Sequence, residues 1–93
     1  MAIVTLRYWA AAKDAAGVAE ETVQAQTLAG ALAAALAVAG GPPGERGGRE
    51  RLRAVLGRSS FLVDGQPAGA REPASVALRD GAVIEVLPPF AGG

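Results

Sequence analysis

Between residues 28 and 39 the apolar side chains recur at helical spacing, and that single run constrains the fold more than any other feature. Leu28, Leu32, Leu36 and Ala39 fall three or four residues apart and form one core-facing stripe. Ala31 and Ala35 widen it with small side chains that let a helix lie close to a sheet. Thr27 stands where an N-cap belongs, its hydroxyl able to accept from an early unpaired N–H. Gly40-Gly41 end the run and Pro42-Pro43 prevent its resumption. Around it the chain reads as strands and short helices. One principal helix must then cover one face of one small sheet, an α+β two-layer domain.

The strands are legible from alternation. Val4, Leu6 and Tyr8 face one way and Thr5 and Arg7 the other across residues 2–9. Residues 10–16 are helix formers stopped by Gly17. Residues 20–26 alternate again, with Val23 and Ala25 opposed to Thr22, Gln24 and Gln26. Residues 49–56 predict a second short helix with Leu52, Val55 and Leu56 inward. Phe61-Leu62-Val63 is a strand, Asp64-Gly65 a tight turn, and Pro67-Ala68 a short return. Asp80-Gly81 turns into a last strand over 82–87, with Ala82, Ile84 and Val86 on one face. Adjacent strand residues face opposite ways, so one of Tyr8 and Trp9 is core, and the residues alone do not choose the other's role.

Composition excludes several kinds of chemistry. With no cysteine and no histidine among 93 residues, the chain has no disulfide, and neither a zinc site nor a Ser-His-Asp or Cys-His pair built on those residues. Nine basic residues balance nine acidic ones, which argues against general binding to nucleic acid or anionic membranes. The start lacks a basic region followed by a long apolar run, so no secretory signal is read. Residues 28–39 are about half the length that spans a bilayer. The expectation is a single cytoplasmic domain over 1–93.

The last eight residues are the most specific. Pro88 and Pro89 lack N–H groups, so the ladder stops there and the chain is held extended. A flexible tail over 88–93 reaches about 20 Å at ~3.3 Å per residue. Phe90 offers an apolar anchor, and Gly92 and Gly93 are slim enough to thread a narrow channel, leaving an unhindered terminal carboxylate.

Three stretches carry a family resemblance: VTLRYWAAAKDAAG near the start, FLVDGQPA in the middle, and LRDGAVIEVLPPFAGG at the end. Together they resemble the MoaD/ThiS family of ubiquitin-like sulfur carriers. The resemblance implies a β-grasp fold, a mixed sheet with the first and last strands adjacent and parallel. It implies that an ATP-dependent adenylating enzyme, similar to those that activate ubiquitin, adenylates Gly93. A sulfur donor protein then displaces AMP and leaves a thiocarboxylate. Gly92 would give access, and Pro89, Phe90 and Ala91 would contact the partner. The carrier would bind no cofactor and supply no catalytic residue; ATP belongs to the activating enzyme. The ending is most similar to the small subunits of molybdopterin synthase, which implies a heterotetramer with the large subunit. Carriers for thiamine, cysteine or another metabolite, and a modifier conjugated through Gly93, stay open as alternatives.

Other features are read as structural. Arg46, Arg49, Arg51, Arg53 and Arg58, interleaved with Glu45 and Glu50, are expected on a solvated helix face. Asp14, Glu20 and Glu21 are expected as surface charges at helix ends and strand edges. GGPPGERGG over 40–48 lacks the Lys-Ser/Thr ending of a phosphate loop and is read as a poorly ordered connector.

Overall fold

A computed structural model of the chain describes residues 2–38 and 49–89. The elements are β1 (Ala2–Tyr8), α1 (Ala10–Ala16), β2 (Glu20–Ala25), α2 (Leu28–Leu36), α3 (Glu50–Leu56), β3 (Ser60–Val63), β4 (Gln66–Pro67) and β5 (Val83–Leu87). A 3-10 turn over Pro73–Ser75, which no sequence pattern indicated, precedes β5. The five strands form one mixed sheet in the order β2-β1-β5-β3-β4. β1 and β5 are central neighbours and run parallel, with Thr5 opposite Val83 and Tyr8 opposite Val86. The other pairings are antiparallel. This is the β-grasp arrangement expected from the resemblance.

Local chemistry accounts for the element ends. Thr27 caps α2 by accepting from the Gly30 amide at 3.1 Å. Gly17, with φ 81, closes α1 by donating its amide to the Lys13 carbonyl. Asp64 and Gly65 both have positive φ, 51 and 80, as the two-residue hairpin between β3 and β4 requires. Asp64 also accepts from the Val83 amide at 3.0 Å, and Asp80 accepts from the Ile3 amide at 2.7 Å. These two carboxylates pin the starts of the central strands, a role their reading as turn residues did not include.

The core lies between the sheet and α2. Val4, Leu6, Ile84 and Val86 are fully buried from the central strands, and Leu28, Ala31 and Ala35 face them from α2. The expected stripe faces the core, with its depth unevenly shared. Leu32 and Leu36 pack at its margin, half-buried, while the two alanines are wholly covered. Small side chains give the closest approach of helix and sheet, so the alanine face takes the deepest position. The helix also stops earlier than 39, with Ala37 as its C-cap. The expected connector at 40–48 lies outside the described residues.

Leu6 has no exposed surface and belongs to the central strand pair. Leu6→Ala is expected to destabilise the fold by about 2–5 kcal/mol through lost burial and the cavity left behind. Urea unfolding should show a lower midpoint with an unchanged slope.

Candidate functional site

β5 ends at Leu87, and Pro88 and Pro89 carry the chain off the sheet, the first half-buried and the second exposed. Because β1 runs parallel to β5 and beside it, both strands end on the same side of the molecule. The Trp9 amide donates to the Val86 carbonyl at 3.3 Å, one residue before the ladder stops. Trp9 itself is extended, with φ −117 and ψ 149, so the alternation of β1 continues through it. Its ring falls on the sheet face away from α2 and is 48% exposed. Tyr8 turns inward and is buried, which settles the choice the sequence left open between these two aromatics. Ala10, with φ 48, bends the chain sharply into α1. A cleft of about 460 Å³ opens beside this bend, lined by Arg7, Trp9, Lys13, Asp14 and Glu20 among others.

Of the residues expected to act, the described part contains Pro89, solvent-exposed at the base of the tail. Phe90, Ala91, Gly92 and Gly93 lie outside the described residues. Among the described residues there is no cluster of carboxylates able to hold a metal ion, and no helix is long and apolar enough to cross a membrane.

The structure corrects the reading of two charges. Arg49 was expected on a solvated helix face and Glu21 at a strand edge. Instead Arg49 is buried at 5% exposure and forms a bidentate ion pair with Glu21. Its Nη2 donates to Glu21 Oε1 at 3.0 Å, and its Nη1 donates to Glu21 Oε2 and to the Ala35 carbonyl, the latter at 3.4 Å. The Tyr8 hydroxyl donates to Glu21 Oε2 at 2.5 Å. The Glu21–Arg49 pair thus joins β1, β2, the end of α2 and the start of α3. Register carries the explanation: Glu21 shares the inward parity of Val23 and Ala25, a signal that alternation already held. Arg49 had no such signal, since it precedes its helix. Arg51, Arg53 and Arg58 are exposed as expected. Burial, then the hydrogen bond to Glu21, hold the Tyr8 phenol far above its ordinary range. The hydrogen bond to Glu21 raises Arg49 in turn, against the opposing effect of burial.

The ThiS family profile matches residues 6–93. No curated protein sequence matches the chain. Among solved structures, the small archaeal modifier protein 1 of Methanosarcina acetivorans superposes with a TM-score of 0.78 at 21% identity, covering 100% of this chain and 98% of that one. The complex of subunits 1 and 2 of molybdopterin-converting factor from Helicobacter pylori 26695 contains a chain similar at TM-score 0.61 and 25% identity, with 98% and 99% covered. Mycobacterium tuberculosis CysO matches at TM-score 0.61 and 15% identity, with 94% and 99% covered.

The buried charges generate two expectations. Arg49→Ala leaves Glu21 without its cation and should cost about 3 kcal/mol, while Glu21→Leu combined with Arg49→Met should recover most of that loss. The chain has a single tyrosine, so its ionisation can be followed by ultraviolet absorbance. The folded state keeps the Tyr8 proton that the unfolded chain gives up near pH 10, so this contribution is complete below about pH 10 and is lost as pH rises further. Phenolate absorbance should appear only together with unfolding, and Tyr8→Phe should flatten the decline in stability at alkaline pH.

Proposed function

The chain belongs to the ThiS family of ubiquitin-like sulfur carriers, and from that premise we propose that it carries sulfur on Gly93 as the small subunit of molybdopterin synthase. The observation that carries this reading is the way the last strand leaves the sheet. β5 is central, parallel to β1, and followed at once by two prolines that end its pairing. An ending built in this way would leave the following residues free of the ladder for another protein to take up. The family profile runs through that ending to residue 93. The similarity to a subunit of molybdopterin-converting factor supports the finer assignment and a large-subunit partner in a heterotetramer.

The chemistry asks little of the carrier. A carboxylate resists attack by nucleophiles, so an adenylating enzyme first joins the Gly93 carboxylate to the α-phosphate of ATP and releases pyrophosphate. A sulfur donor protein then displaces AMP, leaving a C-terminal thiocarboxylate. In the large subunit's site the thiocarboxylate sulfur bonds to a pterin precursor, and water then cleaves the bond between that sulfur and the Gly93 carbonyl carbon, leaving the sulfur on the pterin and restoring the carboxylate. Gly92 lets the end pass through a narrow channel, and Pro89, Phe90 and Ala91 contact its walls. The carrier's part is reach and alignment. These steps take place in the cytoplasm, where ATP is available.

A second reading shares the activation step. The likeness to small archaeal modifier protein 1 favours a modifier that joins Gly93 to a lysine of another protein. Carriers serving thiamine, cysteine or another metabolite also keep the same ending. Intact mass of the protein from its native cell separates these fates: an oxygen-to-sulfur exchange at the end, or a branched conjugate.

Deleting Gly93 moves the carboxylate back by about 3.5 Å, beyond the tolerance for in-line attack. Adding one alanine buries the reactive group in a peptide bond. Both variants should fold as the parent does and yield no thiocarboxylate with the adenylating enzyme, ATP and sulfur donor. Product formed by either variant at the parental rate removes Gly93 from the chemistry.

A further inference from the structure

The two edges of the sheet differ in what they offer a second chain. At one edge β4 is two residues long and one of them is Pro67, too short and too poor in donors to template a strand. The other edge is β2. Hydrogen bonding fixes which of its backbone groups face outward. One step beyond the Arg7–Glu20 pair, the Tyr8 amide donates to the Ala19 carbonyl at 2.8 Å. The antiparallel ladder alternates, so Glu21, Val23 and Ala25 bond to β1 and the residues between them point away. Gln26 follows the same parity. Its outward carbonyl accepts from the Leu78 amide at 2.9 Å, and the bridge of Thr27 to Ala77 closes the edge there. Glu20, Thr22 and Gln24 have no such cover. Among the described residues no group bonds to their amides or carbonyls, and all three residues are exposed. Proline, lysine and bulges, the usual defences of an edge, are missing from Glu20–Ala25.

We propose that this edge joins two copies of the chain, β2 against β2, in an antiparallel register centred on Thr22. The inference goes beyond the carrier reading and does not depend on it. The register follows from the outward row itself. Centred on Thr22, the pairing sets Thr22 opposite the partner's Thr22, Glu20 opposite the partner's Gln24, and Gln24 opposite the partner's Glu20. All the outward amides and carbonyls are then used, in about six hydrogen bonds. Any other register leaves Glu20 or Gln24 without a strand residue across from it. Charge favours the same arrangement. Glu20 meets an amide side chain, and its carboxylate is already bonded to Arg7 at 3.3 Å. The Glu21 carboxylate is held in its pair with Arg49. No like charges meet across the joint. A β-branched residue at the centre suits a cross-strand pair of identical residues. Symmetry then closes the assembly. A two-fold pairing uses both β2 edges, and the β4 edges cannot extend the sheet, so growth stops at two copies. β5 of one copy runs opposite to β5 of the other, so the two tails leave at opposite ends.

The test is sedimentation equilibrium of the full chain over a range of concentrations, with amide hydrogen exchange on the same samples. A monomer–dimer equilibrium is expected, and the Thr22 and Gln24 amides should become protected as concentration rises. Gln24→Lys sets an ammonium against each Glu20 across the joint and should tighten the dimer by about fivefold, a gain that fades with added salt. Gln24→Glu sets carboxylate against carboxylate and should loosen it by about as much. Thr22→Pro removes the central outward donor without touching the ladder to β1, and should raise the dissociation constant by about tenfold or more. Circular dichroism and thermal unfolding check that each variant folds. Should Thr22→Pro be unfolded, the opposite shifts of the two Gln24 variants carry the comparison. A chain that stays monomeric at millimolar concentration overturns the proposal. So does a dimer that folded Thr22→Pro leaves intact, which assigns the contact to another surface. A dimer that responds alike to Gln24→Lys and Gln24→Glu overturns the register. Protection of Thr22 and Gln24 that needs a different protein, with the chain alone monomeric, assigns the edge to that protein and overturns the proposal as well. Each of these outcomes leaves the carrier reading intact.

Discussion

The parallel pairing of β1 with β5 is the contact on which the rest of the molecule depends. Parallel neighbours cannot be joined by a tight turn, so every other element lies between them in sequence. α1, β2, α2, α3, β3 and β4 are all parts of one long crossover. The same pairing puts the first and last strands in the middle of the sheet, with antiparallel partners on either side. It also fixes direction. β1 and β5 finish together, so the departing chain lies beside Trp9 and the start of α1. A tail leaving from an edge strand would have had fewer neighbours and a less defined origin.

A second constraint ties the layers together. The Arg49–Glu21 pair, with the Tyr8 hydroxyl on the same carboxylate, is largely removed from water, the guanidinium more completely than the carboxylate. Taking both charges out of water is expensive, and apolar side chains of the same volume would stabilise the fold at least as well. The pair does something that they would not. The guanidinium also donates to the Ala35 carbonyl near the end of α2, so it fixes the direction in which the chain re-enters at α3. Apolar packing tolerates small rotations of a short helix, whereas a bidentate ion pair allows one geometry. In a core made largely of alanine and valine, that directional contact supplies specificity which shape alone provides weakly.

Much of this was legible in the sequence because period and turn chemistry agreed. Val4, Leu6 and Tyr8 alternate inward as their spacing predicts, Thr27 caps α2, and Asp64-Gly65 makes the hairpin. The α2 stripe was legible too: Leu32 and Leu36 pack against the core, half-buried, and Ala31 and Ala35 bring the helix close to the sheet as their size predicts, although spacing did not show that the alanines lie deepest. Arg49 and Glu21 ranked as surface by charge, yet each neutralises the other's burial, and the two are far apart in sequence. Pairing across that separation leaves no periodic trace. The ending was the most legible functional feature, although Phe90, Ala91, Gly92 and Gly93 lie outside the described residues; in the described part, Trp9 was visible as an aromatic without an assigned side.

The division of labour between fold and tail follows from the chemistry assigned to it. Adenylation, sulfur transfer and conjugation all act on a terminal carboxyl group, and none needs a side chain of the carrier. What the folded part can contribute is identity: it decides which enzymes the end is offered to. A short tether makes that contribution strict. On the proposed reading, a partner that took up Gly93, four residues beyond Pro89, would also come close to the folded part where β5 ends. The family can thus keep one core and one ending while fates diverge among sulfur transfer and modification. On this argument, specificity is read from the few side chains around the exit, and the core behind them serves to hold those side chains level with the tail.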